Sequence, residues 1–282
     1  MADKVTLRRI LRLFAISARM DMVYLLRDTK FALLGILGDL VNNLATVSGV
    51  FLIAARFGGI GEMNADEVLF MMAYSTLSVG VFTLFGSGNN IFISRIIGRG
   101  QLDHMFTQPL PLGVQLVTGG FAPFTGGGNL LVGTVLTVIS VSRLRLAVTP
   151  LWLAALIAYQ AATLAVTVAR SYIVSSLAFY APAEAEEISS VAINDTWVVG
   201  TFPLSGMPKA LQIPLLTILP EGLMAWFPAL CLLGRPPLGL TGLYPVLFAL
   251  LLSLTAKRIF KRGLRNYVQK GSSRYLPYGF RR

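Results

Sequence analysis

Apolar residues in this chain gather into long blocks from residue 31 onward, divided by short stretches rich in polar residues, glycine or proline. A block of about 20 apolar residues, at 1.5 Å of helical rise each, matches the hydrocarbon thickness of a bilayer. The pattern predicts six spanning helices, at residues 31–55, 68–93, within 121–141, 147–178, 210–233 and 240–256. Gly119, Gly120, Pro123, Gly126, Gly127 and Gly128 suit a helix interior poorly, so the third span is expected to begin near Asn129, a residue able to cap it. The fifth block contains Pro214, Pro220 and Pro228 and is expected to be an interrupted span. Residues 180–209 carry Glu184, Glu186 and Glu187, then Trp197, Phe202, Pro203 and Pro208, and read as a cytoplasmic and interfacial connector.

Ahead of the first block the period changes. Leu7, Ile10, Leu11, Phe14, Ala18, Met22 and Leu25 recur at helical spacing, and Arg8, Arg9, Arg12 and Arg19 take much of the other side. A helix patterned this way lies in the membrane interface rather than crossing it. A signal peptide is disfavoured, because Arg and Asp break the apolar stretch and no clear cleavage site follows. The expected fold class is an all-α membrane protein with a single transmembrane domain over residues 1–282. An amphipathic elbow helix (1–30) precedes a six-span bundle (31–256) and a basic cytoplasmic tail (257–282).

Composition agrees with that reading. Hydrophobic residues make up 55% of the chain and charged residues only 13%, and the mean hydropathy is +0.69. A soluble domain carries about 25% charged residues. The net charge of +11 is concentrated at the ends: residues 1–30 hold seven Lys/Arg and three acids, and residues 257–282 hold nine Lys/Arg and no acid. With the N-terminus inside, six spans place 19 Lys/Arg on the inner side and four on the outer side, namely Arg56, Arg143, Arg145 and Arg235. That asymmetry predicts a multi-pass protein with both termini cytoplasmic. Lys257, Arg258, Lys261 and Arg262 are then placed to meet anionic lipid headgroups. Nucleic-acid binding, the other reading of a basic tail, does not suit so apolar a body.

Several chemistries are poorly supplied. His104 is the only histidine and Cys231 the only cysteine, which removes a His-based metal site, a triad and an intrachain disulfide. No Gly-Lys-Ser/Thr occurs, so a phosphate-binding P-loop is absent and no cofactor is expected on this chain. Charge inside the blocks is more informative. Asp39 and Arg170 each lie about 12 Å from the inner end of their predicted spans. Isolated charges at that depth are costly and should pair or face water. Arg170 is expected to meet either Asp39 or Glu221. The result is either a packing ion pair or a polar patch on a substrate path, extended by Asn42 and Asn43 on the face of Asp39. Ala154, Ala158 and Ala162, and likewise Ala161 and Ala165, have the spacing of close helix contacts.

Two stretches resemble the permease subunits of ABC-2-type transporters. Arg99-Gly100-Gln101-Leu102-Asp103, followed by Gln108-Pro109-Leu110, is similar to an R-x-G-x-L-D … P signature of a bacterial subfamily, with Arg99 and Gly100 adjacent here. Phe202-Pro203-Leu204-Ser205, Leu219-Pro220, Phe227-Pro228-Ala229-Leu230, Leu233-Gly234, Pro237-Leu238-Gly239 and Arg262-Gly263-Leu264-Arg265-Asn266-Tyr267 follow the order of its C-terminal half. The resemblance implies an exporter in a bacterial cytoplasmic (inner) membrane, pairing with a second permease, identical or homologous. Two separate ABC ATPase subunits, carrying ATP and Mg, would drive it. Arg95, Arg99, Gln101, Leu102 and Asp103 would then belong to one contact with the ATPase and Glu184, Glu186 and Glu187 to another. Arg99 and Asp103, one helical turn apart, are placed to pair. The alternatives are a secondary, ion-coupled transporter, which predicts internal symmetry, and a membrane-embedded enzyme, for which no constellation of catalytic side chains is present.

Overall fold

Caps and breakers, more than the edges of the apolar blocks, set the helix boundaries. The computed structural model describes residues 6–235 and 241–271, and every regular element among them is helical. Helix α1 (Leu7–Arg27) turns into α2 (Thr29–Phe57) at Asp28, whose carboxylate accepts the Phe31 N–H at 3.4 Å. Gly58, at φ 77°, ends α2 in the left-handed conformation that glycine adopts without strain. Helix α3 (Ala65–Phe85) opens on a capping box in which Asn64 and Glu67 exchange side-chain and backbone hydrogen bonds at 2.9 Å. It stops at Gly86, short of the expected end of the second block. Four short helices follow: α4 (Ser87–Ile91), α5 (Ile93–Gly98), α6 (Leu102–Thr107) and α7 (Leu112–Thr118).

Helix α8 (Gly127–Arg143) begins two residues before Asn129, so Asn129 does not cap it. The Asn129 side chain is buried and accepts the amide of Asn43 at 2.7 Å, tying α8 to α2. Thr149 caps α9 (Pro150–Ser175), with Pro150 in the first turn where no N–H is missed, and a 3-10 turn extends α9 to Phe179. The chain continues through α10 (Ile188–Gly200), α11 (Lys209–Thr217), α12 (Trp226–Leu232) and α13 (Tyr244–Lys270). Helices α2, α3 and α9 with its extension are long and apolar enough to cross a membrane. Lys209–Thr217 with Pro220–Leu232 is a fourth candidate if the bent pair is counted as one span.

Contacts assign the elements to two ends of the bundle. At one end Ser205 donates to the Ile60 carbonyl at 3.3 Å, Arg143 pairs with Asp66 at 3.3 Å, and Arg235 pairs with Glu67 at 2.9 Å. Trp152, in the first turn of α9, donates to the Leu232 carbonyl at 3.0 Å. At the other end Ser17 of α1 donates to the Thr118 carbonyl at 2.8 Å, and Tyr267 of α13 donates to Asp103 at 3.0 Å. The N-terminal helix and the last turns of α13 therefore share one end.

This arrangement refines one expectation and corrects another. The block at 210–233 is interrupted, as its prolines imply. Both its flanks meet the end that holds Ile60 and Glu67, and the chain bends by 73° between α11 and the 220–232 segment. Pro220 explains the break, since it offers no N–H to a continuous helix and Leu219 before it is extended, while Pro214 is accommodated inside α11. The region 180–209 is not merely a connector. It contains α10, which packs along α9 and runs from Ser189 at one end toward Leu204 at the other. Lys209 accordingly lies near the end of Arg56 and Arg235, not at that of Arg95 and Arg99 where the inner-side count places it.

The tightest helix pair is α3 with α8. A Cβ on Gly80 would sit 2.3 Å from the Leu130 backbone, and one on Gly133 would sit 2.4 Å from that of Leu77. Of the alanines spaced for close contact, Ala154 and Ala158 are exposed, while Ala162 is buried against Val166, Met224 and Ala249.

Candidate functional site

Two groups of candidate residues take shape, one at the end shared by α1 and α13, the other inside the bundle. The first joins α5 to the turn at 181–187. Gly98 allows the joint, because a Cβ there would lie 2.6 Å from the Pro182 carbonyl oxygen. Buried Ser94 and Ser189 bond to each other at 2.7 Å, and Ser94 donates to the Glu186 carbonyl at 2.7 Å. On the surface Arg95 donates to Glu187 at 2.8 Å and Arg99 pairs with Glu186. The two stretches read as separate contacts thus form one surface. Arg99 reaches across to Glu186, and Asp103 accepts the Tyr267 hydroxyl.

Gln101, Asp103, His104 and Glu184 are exposed on this surface. Leu102 is not available to a partner. It is fully buried with Ile93, Ile97, Phe179 and Tyr267, because the short helix α6 turns its one aliphatic side chain into that cluster. The hydrogen bond from Arg95 holds the Glu187 carboxyl below the usual carboxylate range. A depressed folded value means that the pair's contribution is complete above the ordinary value near 4.5 and is lost as pH falls through the folded value. Hydrogen exchange of the 183–191 segment, corrected for intrinsic rates, is therefore expected to stay level down to pH 5 and to rise in strong acid. Glu187→Gln should remove that acid step.

Inside the bundle Arg170 of α9 donates to Glu221 and to Thr196 of α10. The side chains of Arg170 and Glu221 are only 17% and 4% exposed. Of the two partners anticipated for Arg170, the structure brings Glu221. Asp39 is exposed on α2, which packs on α3 and α8, and among the described residues it has no ion-pair partner. Asn42 is also exposed, whereas Asn43 is half-buried on Asn129. Arg170 extends a buried polar line on α9. Gln160 accepts from Ser78 at 2.8 Å, Thr163 bonds Tyr74 at 3.0 Å, and Thr167 meets the Met224 sulfur at 3.4 Å. Steps of three and four residues keep these on one face.

Sequence reading missed Thr196, the Ser94–Ser189 pair and Asp21. Asp21 of α1 accepts the backbone N–H groups of Phe124 and Thr125 at 2.7 and 3.1 Å, fastening the amphipathic helix to the glycine-rich turn before α8. An acid among the arginines of α1 was the available signal for Asp21. Nothing local marked the serines, which acquire partners only through the fold.

The sequence profile described as ABC-2 family transporter protein matches residues 40–271, which include the surface at α5–α6, the Arg170–Glu221 pair and most of α13. No curated protein and no solved structure matches the chain. With a match over most of its length, this chain belongs to the ABC-2 family of transporter membrane proteins.

Proposed function

We propose that the chain is the permease subunit of an ATP-driven exporter, crossing a bacterial inner membrane six times with both ends in the cytoplasm. In this reading α2, α3, α8, α9, α10 and α13 are the crossings, and α11–α12 is a re-entrant pair from the outer side. The observation that carries the proposal is the surface on which α5–α6 and the 181–187 turn are pinned together, at the end that also holds α1 and the basic end of α13. A partner pressing on it would load α9, α10 and α13 together. Arg95, Arg99, Gln101, Asp103, Glu184, Glu186 and Glu187 would form the docking face for two ATPase subunits holding ATP and Mg. A second permease, identical or homologous, would cover the exposed polar positions Asp39 and Asn42 of α2 and Asn194 and Asp195 of α10. Polar groups at such depth are costly against lipid.

Purification in mild detergent should bring down two ATPase chains per pair of permeases. Transport driven by an ion gradient, with no ATPase in the preparation, would replace this reading with a secondary transporter. Charge reversal sharpens the test. Exposed ion pairs contribute only about 0–1 kcal/mol, so Arg99→Glu should fold. We expect it to lower ATP-driven transport by about tenfold or more, a loss of roughly 1.4 kcal/mol of coupling. The swap Arg99→Glu with Glu186→Arg restores the internal pair. Transport that stays low in the swap assigns the charges to the ATPase contact, whereas full recovery would confine them to holding the surface together.

A further inference from the structure

A cavity of about 920 Å³ opens between α7, α9 and α13, at the end of the bundle that carries α1 and the basic end of α13. Leu116 of α7, Leu164 and Val168 of α9 and Phe260 of α13 wall it. Its lining is apolar apart from a few groups. Buried Asn90 is one, and it already donates to the Gly86 carbonyl at 2.8 Å. Lys257 and Lys261, one turn apart on α13, complete the lining and are exposed. Among the described residues neither has a carboxylate partner. A volume near the upper end of the ligand-pocket range, with apolar walls and paired ammonium groups, suits a molecule with a long apolar body and an anionic head. An ordinary solvated lysine pair needs no such walls, and a packing void needs no such charge.

We infer that this cavity is a binding site for one anionic phospholipid of the adjacent leaflet. The acyl chains lie between α7 and α9, and the phosphate sits on Lys257 and Lys261. The inference depends on the chain standing in a bilayer but not on an ATPase partner, so the pull-down above and the test below fail independently.

The full chain, delipidated in detergent and titrated with phosphatidylglycerol or phosphatidylcholine, is read by native mass spectrometry. Two basic side chains at a headgroup should favour retention of phosphatidylglycerol by about tenfold or more. Lys257→Gln with Lys261→Gln should bring the ratio close to one. Lys270→Gln, on the same helix but outside the cavity, should leave it unchanged. Gly113→Leu extends a side chain into the space, since a Cβ there meets nothing within 4 Å, and should lower retention of both lipids. Equal retention of the two lipids by the unaltered chain would overturn the inference. So would a preference that survives the double lysine change, or occupation of the groove by a second copy in place of lipid.

Discussion

Glu221→Gln is expected to lower the unfolding midpoint of the purified chain sharply, because it strands the Arg170 guanidinium among buried groups. Removing one partner of a buried pair costs about 3–5 kcal/mol, a large part of a typical total of about 5–15 kcal/mol. Thr196 can accept one hydrogen bond from the guanidinium but cannot balance its charge. Changing both partners is expected to cost far less. Arg170→Met with Glu221→Leu removes the charges at similar volume, and such replacements are often neutral or stabilising. The comparison also decides between the two roles of the pair. A double variant that is stable and still transports assigns Arg170 and Glu221 to packing α11–α12 against α9 and α10. A stable double variant without transport places them on the substrate path. An unchanged midpoint for Glu221→Gln alone would mean that the two side chains do not meet. The second carboxylate oxygen of Glu221 has no hydrogen-bond partner among the described residues, so the pair holds the charge without satisfying every acceptor.

Gly133→Leu is the other substitution with a large expected effect. Lipid tails are as apolar as leucine, so helices in a bilayer gain little from hiding apolar surface from each other and depend on close van der Waals approach. The α3–α8 pair achieves that approach at Gly80 and Gly133, where each helix faces backbone rather than a movable side chain. Overpacking a core costs about 1–3 kcal/mol and occasionally more. With no side chain able to yield, we expect the upper end of that range and loss of monodisperse protein in detergent. Gly127→Ala is the matched control, since a Cβ there meets nothing within 4 Å. A Gly133→Leu chain with the midpoint of the parent would refute the contact.

Small residues at steps of four on α9 permit close contact without naming the partner. Ala162 packs inside the chain, Ala154 and Ala158 stay exposed, and a close backbone approach within the chain falls on the glycines of α3 and α8. The fifth span shows a related limit. Its apolar block is long enough to cross, but Pro214 and Pro220 allow either a kinked crossing or a return to the same side. Only the seating of Ser205 on Ile60 and of Arg235 on Glu67 selects the return. Helix α10 does not stand out in the sequence because it has only 13 residues and Asn194, Asp195 and Thr196 interrupt its apolar run.

Membership in a helical membrane family, the amphipathic first helix, the clustering of basic residues at the chain ends and the pairing options for Arg170 were all legible from residue order. Each follows from the solvent: hydrocarbon demands continuous apolar helix, and charge in it demands a partner. Which partner Arg170 takes, which apolar block folds back, and how Arg95 and Arg99 come to meet Glu187 and Glu186 were decided by tertiary structure. Those outcomes depend on distances between residues far apart in sequence, where several pairings satisfy the same local chemistry and only the packing of α3, α8, α9 and α10 admits one.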